Sequence, residues 1–130
     1  MDDKTILIKN WLYKSDQALK ETLINIENNC MLSAQNRLYY TIFYAVSALA
    51  QSKGFITSKH RQLLGWFNKE YVKTGIIPKE KSGVYLEAFE FRQKSDYTIE
   101  FEPDKEKLEK MTEEAQIFIK EIKDLLNNGE

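Results

Sequence analysis

An arginine, an aspartate and a tyrosine lie close together in the segment FEFRQKSDYTIEF, at residues 89–101. Arg92 shares one helical stripe with Tyr85 and Phe89, at spacings of three and four, so its guanidinium should point toward the core or a cleft beside it. A guanidinium that leaves water needs a carboxylate or hydroxyl groups as partners. Asp96, one helical turn later, is the nearest candidate in the sequence.

Two interpretations of Arg92 are open at this point. In the first, Arg92 and Asp96 form an ion pair that closes the end of the helix and has a purely structural role. In the second, Asp96 holds Arg92 so that its guanidinium faces a phosphate, because a planar guanidinium can bind two oxygens at once. Ser95 and Tyr97 then lie beside the guanidinium as hydroxyl groups for the same ligand.

A second polar stripe occurs earlier in the chain, where Arg37, Tyr40 and Tyr44 follow one another at spacings of three and four. Asn36 and Tyr39 are adjacent to it. Aromatic stripes at helical spacing are usually core, but buried phenols need hydrogen-bond partners. The stripe therefore indicates either a packed core face, or a polar cluster or dimer face that includes Arg37.

His60 and Arg61 stand at the predicted start of the next helix and could add to this cluster, although a single histidine there is more often structural. The chain has one histidine and one cysteine, too few for an ordinary His/Cys zinc site. It also has no glycine-rich phosphate loop. We therefore predict neither a metal nor a cofactor. The lone Cys30 cannot form an internal disulfide, which fits a reducing compartment.

Helical periodicity accounts for most of the chain. The first predicted helix covers about residues 4–28, and the second covers 34–53, with Ser33 as its N-cap and Gly54 at its end. A third helix is capped by Ser58 and reaches Tyr71, and residues 72–83 form a loop or a single turn. A fourth helix runs through Tyr85 to Arg92, and a fifth is opened by Pro103 and ends near Leu125. The sequence predicts an all-α fold, an antiparallel up-and-down four-helix bundle with one additional short helix, as a single domain over residues 1–130.

Charge is unevenly distributed along the chain. Residues 31–95 carry ten Lys/Arg against four Asp/Glu, whereas residues 96–130 carry five against eleven. The basic part favours an anionic partner, or the two parts neutralise each other in the fold. No apolar run is long enough for a signal peptide or a membrane helix, so we expect a cytoplasmic protein without a membrane partner.

Three segments in order carry a family resemblance: AQNRLYYTIFYAVSALAQSKGF, then SKHRQLLGWFNKEYVKTGIIP, then FEFRQKSDYT. Together they resemble the HEPN superfamily, in its branch of small stand-alone bundle proteins. The resemblance implies a four-helix up-and-down core plus a short helix, usually dimeric. It also implies a partner, since such proteins are often encoded beside a minimal nucleotidyltransferase as a toxin–antitoxin-like pair.

Many members of that superfamily are metal-independent ribonucleases whose motif is an arginine followed, after four to six residues, by a histidine. Arg92 matches that arginine, and Tyr97 stands where the histidine would be. A phenol with a pKa of about 10 is a poor general base at neutral pH. His60 could replace it only if folding brings it near Arg92. By the same resemblance, Tyr97 is a candidate for modification by the partner nucleotidyltransferase.

Three functions follow from these residues. The first is a dimeric HEPN protein of a nucleotidyltransferase module, with an anion- or nucleotide-binding cleft around Arg92, Asp96 and Tyr97. The second is a metal-independent ribonuclease toxin that uses Arg92 and Tyr97, with His60 as a further catalytic candidate. The third is a structural dimerisation module in which the polar cluster fixes the helix register. RNA or a nucleotide is the ligand that the first two require.

Overall fold

The structure is a computed structural model that describes residues 2–97 and 103–128, apart from the side chains of residues 95–97. Over these residues the chain forms five α-helices: α1 (Asp3–Glu27), α2 (Met31–Ser52), α3 (His60–Phe67), α4 (Lys79–Tyr97) and α5 (Lys105–Asn127). A π-helical turn, Asn68–Val72, continues α3. The described parts contain no strand. The prediction of an all-α helical bundle is confirmed.

The helix ends explain where the predicted boundaries were wrong. Asn29 takes a left-handed conformation, with φ at 60°, and so closes α1. Residues 28–30 alone separate α1 from α2, which begins at Met31 and leaves Ser33 inside the first turn rather than at the predicted N-cap. The predicted end of α2 is confirmed, because Gly54 has φ at 77° and turns the chain away.

Two other caps also differ from the prediction. Lys59, not Ser58, precedes α3, and its backbone N–H donates to the Thr57 hydroxyl at 3.1 Å. Asp104, not Pro103, caps α5, because its carboxylate accepts a hydrogen bond from the Lys107 backbone N–H at 3.0 Å. A carboxylate both accepts this bond and complements the helix dipole, which proline cannot do.

Helix α2 lies at the centre of the bundle, where it contacts α1, α3, α4 and α5. Fourteen of its 22 residues are buried. The buried residues of α2 include four alanines (Ala34, Ala45, Ala48 and Ala50), and small side chains at a contact favour short distances between helix axes. The Ser15 hydroxyl of α1 donates to the Thr41 carbonyl of α2 at 2.7 Å, a buried hydrogen bond that fixes the register of these two helices.

Helix α5 contributes the predicted packing seam, and its stripe is buried as expected: Leu108, Met111, Ala115, Phe118 and Ile122. The stripe of α4 is also buried through Tyr85, Ala88 and Phe89, and it ends at the half-buried Arg92. None of the described helices combines the length and the apolar composition that crossing a bilayer requires. The bundle thus places the Arg92 end of α4 against the middle of α2.

Candidate functional site

His60 is the first residue of α3 and contacts α2 through one hydrogen bond and three aromatic rings, those of Tyr39, Tyr40 and Phe43. Its Nδ1 lies 2.7 Å from the Tyr39 hydroxyl. Its ring stacks on Phe43 with the centroids 4.3 Å apart, and Tyr40 meets it edge-on at 5.7 Å. Stacked and edge-on geometries are both favourable for aromatic pairs. The imidazole is therefore held in one orientation against the middle of α2.

Arg92 reaches the same aromatic residues from α4. Its Cζ lies 5.1 Å from the Tyr39 ring centroid and 5.5 Å from that of Tyr40, both within cation–π distance. Its Nη2 donates to the Tyr40 hydroxyl at 3.4 Å, a long and weak hydrogen bond. The Gln35 side chain donates to the Phe91 carbonyl at 2.7 Å, which ties this part of α4 to α2. Folding thus brings Arg92 and His60 to the same two tyrosines.

Two further arginines flank this group. The Cζ of Arg37 lies 4.9 Å from the Tyr40 centroid, and the half-buried Arg37 also pairs with Glu21 at 3.4 Å. Arg61 is exposed, and its Cζ lies 5.4 Å from the Phe89 centroid. We call Tyr39, Tyr40, Phe43, His60 and Phe89, with Arg37, Arg61 and Arg92 around them, the arginine–aromatic cluster.

Burial and charge set the protonation states in this cluster. Burial raises the pKa of Tyr39 well above that of an ordinary phenol, although the nearby Arg92 opposes the shift. Burial lowers the pKa of His60, and the positive charge of Arg92 lowers it further. At neutral pH the phenol therefore keeps its proton and the imidazole is neutral.

The hydrogen bond between Tyr39 and His60 then needs a direction. We assign Tyr39 as the donor, because its fully buried hydroxyl proton needs an acceptor and Nδ1 of His60 lies at hydrogen-bond distance. In this tautomer the ring proton of His60 is on Nε2. Nε2–H is then a donor suited to a phosphate oxygen.

The structure brings together only part of the predicted site. Arg92, His60, Tyr40, Arg37 and Arg61 all belong to the arginine–aromatic cluster. Asn36 is exposed, and its amide oxygen accepts from the Arg37 guanidinium at 3.0 Å, so Asn36 acts on the cluster through Arg37.

The remaining predicted residues, Ser95, Asp96 and Tyr97, are on the last turn of α4, and their side chains lie outside the described residues. The predicted Arg92–Asp96 ion pair therefore stays a prediction. In the described parts of the chain, no three His, Cys, Asp or Glu side chains are grouped as metal ligands.

Tyr39 is the residue whose role the sequence did not reveal. It has no exposed surface and touches both Arg92 and His60, yet it looked like one more core aromatic beside the Arg37–Tyr40 stripe. The available signal was its hydroxyl group, since a buried phenol requires a polar partner. That partner is His60, which lies 21 residues away in the chain, so the spacing of residues could not assign it to Tyr39.

Comparison with known proteins identifies the family of this chain. Residues 8–125 match the HEPN domain, nearly the whole chain. A Thermotoga maritima protein named UPF0332 protein is 35% identical over 128 residues, which cover 98% of this chain and 97% of the relative. The chain therefore belongs to the HEPN family.

Two other relatives come from Methanocaldococcus jannaschii, and each is named a putative toxin. One is 36% identical over 93 residues, covering 72% of this chain and 63% of the relative. The other is 30% identical over 112 residues, covering 86% of this chain and 83% of the relative. The names link this family to toxin-like proteins.

Proposed function

We propose that this protein is the HEPN component of a two-gene, toxin–antitoxin-like module, and that it works as a homodimer with a minimal nucleotidyltransferase. Family membership and the names of the two Methanocaldococcus relatives support this proposal. Within the module, the Arg92 end of α4 forms a cleft that binds an anion, either a nucleotide or RNA. Asp96 and Tyr97 complete that cleft.

One observation carries the binding proposal: three arginines surround a rigid group of aromatic rings that also holds a neutral histidine. Arg92 lies over Tyr39 and Tyr40, so its guanidinium is oriented before any ligand arrives. A pre-oriented guanidinium loses less entropy when it binds two phosphate oxygens than a free one does. Arg37 over Tyr40 and Arg61 over Phe89 add positive charge to the cluster.

The test is binding of a nucleotide and of a short RNA to the wild-type protein and to Arg92→Ala. Loss of a charge-assisted phosphate contact should weaken binding by about tenfold or more, equivalent to about 1.4 kcal/mol. Lys94→Ala is the matched control, because Lys94 is an exposed cation two residues further along α4. Circular dichroism is used to check that each variant is folded, and sedimentation to check that it has the wild-type oligomeric state.

The same variants separate binding from the purely structural alternative. If Arg92 only fixes the helix register, Arg92→Ala lowers the melting temperature or dissociates the dimer and leaves ligand affinity unchanged for the folded fraction. Equal affinities of wild type and Arg92→Ala for the nucleotide would contradict the proposed cleft. Co-purification with the nucleotidyltransferase tests the partner separately.

A metal-independent ribonuclease is the second candidate, and the contact of both Arg92 and His60 with Tyr39 favours it. Cleavage would use the 2′-hydroxyl as nucleophile on the adjacent phosphorus, with Arg92 stabilising the charge on the phosphorane. The bond from phosphorus to the 5′-oxygen would break, and that oxygen would take a proton from the Tyr97 phenol or from water. As a base, His60 would need the other tautomer, in which Nδ1–H donates to the Tyr39 oxygen and Nε2 is free to accept the proton. The assigned tautomer favours binding over this reaction.

RNA cleavage without metal by the purified protein decides between these candidates. A ribonuclease of this kind should lose activity in both Arg92→Ala and His60→Ala while both remain folded. Tyr97→Phe tests whether the tyrosine in the motif position takes part. No cleavage by the wild-type protein, with binding retained, would exclude the ribonuclease and leave the binding function in place.

A further inference from the structure

A row of aromatic side chains extends from the arginine–aromatic cluster across α2 to α1. Tyr40 and Tyr44 have their ring centroids 5.6 Å apart, and Tyr44 stacks on Trp11 of α1 at 5.9 Å with an angle of 30° between the planes. All three rings are half-buried, so each is anchored in the protein and still reaches solvent. We call Tyr40, Tyr44 and Trp11 the aromatic row.

Cations lie over every ring of this row. Arg37 and Arg92 cover Tyr40, while the Lys14 Nζ lies 5.2 Å from the Trp11 centroid and 5.8 Å from that of Tyr44. Lys14 is exposed, so its ammonium can leave the rings and pair with a phosphate. The row thus combines planar apolar surfaces with mobile positive charge.

The surface continues beyond Trp11 along α1. Trp11 and Lys14 line a shallow hollow of about 320 Å³ together with Leu7, Asn10 and Tyr13. Tyr13 is 64% exposed, and among the large apolar and aromatic side chains that the structure describes only Ile56 is more exposed. A second aromatic surface is therefore available next to the end of the row.

We propose that the aromatic row binds single-stranded RNA that extends from the Arg92 site, with bases stacked on Trp11 and Tyr44 and a backbone phosphate at Lys14. Single-stranded nucleic acids are bound by aromatic surfaces that stack with bases and cations that contact the backbone. This inference rests on the proposed anion site at Arg92 and names its ligand more closely, as RNA of several nucleotides.

A second copy of the chain is the competing occupant of this surface, but the charges disfavour it. A twofold contact through the row would bring the cations Lys14 and Arg37 of one subunit against the face that carries the same two cations in the other. Like charges brought together across an interface oppose association. A polyanion, by contrast, meets a cation beside every ring.

The two tryptophans of the chain allow a direct test. Trp66→Leu leaves Trp11 as the single tryptophan, and Trp66 lies away from the aromatic row, against Phe55 and Tyr71. We would titrate this variant with a single-stranded octamer of 2′-O-methyl uridylate, which cannot undergo 2′-hydroxyl cleavage. The expected result is quenching of the Trp11 fluorescence, with an octamer affinity close to that of the wild type.

Affinities of the variants then locate the contact. Trp11→Leu and Lys14→Ala should each weaken octamer binding by about fivefold or more, in the range found for single base-stacking and phosphate contacts. Their affinity for uridine monophosphate should stay unchanged, because the proposed Arg92 site alone holds a mononucleotide. Lys14 is exposed, so Lys14→Ala tests the proposal even if Trp11→Leu is unstable.

Several results would overturn the inference. RNA would be excluded from the aromatic row if the octamer left the Trp11 fluorescence unquenched. It would also be excluded if the octamer bound wild type, Trp11→Leu and Lys14→Ala with equal affinity. A change in sedimentation of Trp11→Leu with unchanged octamer affinity would assign the row to a subunit contact instead. Failure of the anion site itself is distinguishable, because Arg92→Ala would then bind the mononucleotide as tightly as the wild type.

Discussion

Replacement of Tyr39 by phenylalanine removes one hydroxyl group and leaves the aromatic packing in place. The ring still stacks on His60, with the centroids 5.5 Å apart, and on Phe43 at 6.0 Å. The variant therefore loses the hydrogen bond to Nδ1 of His60 and creates almost no cavity. It isolates the contribution of that hydrogen bond.

The expected loss of stability follows from this single change. A hydrogen bond between neutral groups contributes about 0.5–1.5 kcal/mol net, and the half-buried imidazole can regain part of that from water. For a domain of this length, 1 kcal/mol corresponds to a decrease in melting temperature of roughly 4 °C. Thermal unfolding followed by circular dichroism measures it.

The pKa of His60 is the more specific measurement. A donor at Nδ1 stabilises the neutral imidazole, so loss of the Tyr39 hydroxyl should raise the pKa of His60. The chain has one histidine, so NMR titration of the imidazole protons reports His60 without assignment. Tyr40→Phe is the control, because Tyr40 touches the same ring edge-on but its hydroxyl contacts Arg92 instead.

A fall in the His60 pKa in Tyr39→Phe would refute the assigned direction of the hydrogen bond. It would mean that Nδ1–H donates to the Tyr39 oxygen in the wild type. Nε2 would then be free to act as a base, which is the arrangement that the ribonuclease function needs. An unchanged pKa together with unchanged stability would show that the two groups are not bonded in solution.

Three further changes test other parts of the structure. Arg92→Ala removes the positive charge that lowers the pKa of His60, so this pKa should rise in the same titration, and an unaltered value would place the guanidinium elsewhere. Because the pKa of folded His60 lies below the unfolded value of about 6.5, the unfolded chain takes up the proton first. The free energy of unfolding, measured with urea, should therefore fall as the pH drops below about 6.5. In His60→Gln the free energy of unfolding should fall less steeply over that range. Asp104→Ala removes the cap of α5 and should lower the free energy of unfolding, measured by thermal unfolding, by about 1 kcal/mol. Asp124 is exposed near the other end of α5, so Asp124→Ala should lower that free energy by less.

The sequence predicted those features that depend on residues near one another in the chain. The α5 seam is an example, because apolar residues three and four apart must share one face wherever the helix packs. Gly54 ends α2 as expected, because the left-handed conformation favours glycine. The predicted caps at Ser33 and Ser58 were wrong. The left-handed Asn29 ends α1 and lets α2 begin at Met31, before Ser33, while the hydrogen bond from the Lys59 N–H to the Thr57 hydroxyl makes Lys59 the residue that precedes α3.

The cluster depends on distant residues, and here the sequence was informative only in part. The inward placement of Arg92 followed from its spacing to Phe89. The proximity of Arg92 to His60 could not be predicted in this way, because it depends on how the chain returns after Gly54 and places α3 against the middle of α2. Tyr39, buried between them, could not be distinguished by pattern from an ordinary core aromatic.

The central position of α2 has a consequence for motion. A helix that contacts all four of its neighbours cannot open unless they separate, so its amide protons should exchange with solvent only through global unfolding. Tyr39 and Tyr40 therefore stand on the most slowly exchanging part of the chain. Any backbone rearrangement that accompanies ligand binding must then come from the helices around α2, such as the short α3 that carries His60 and the end of α4 that carries Arg92.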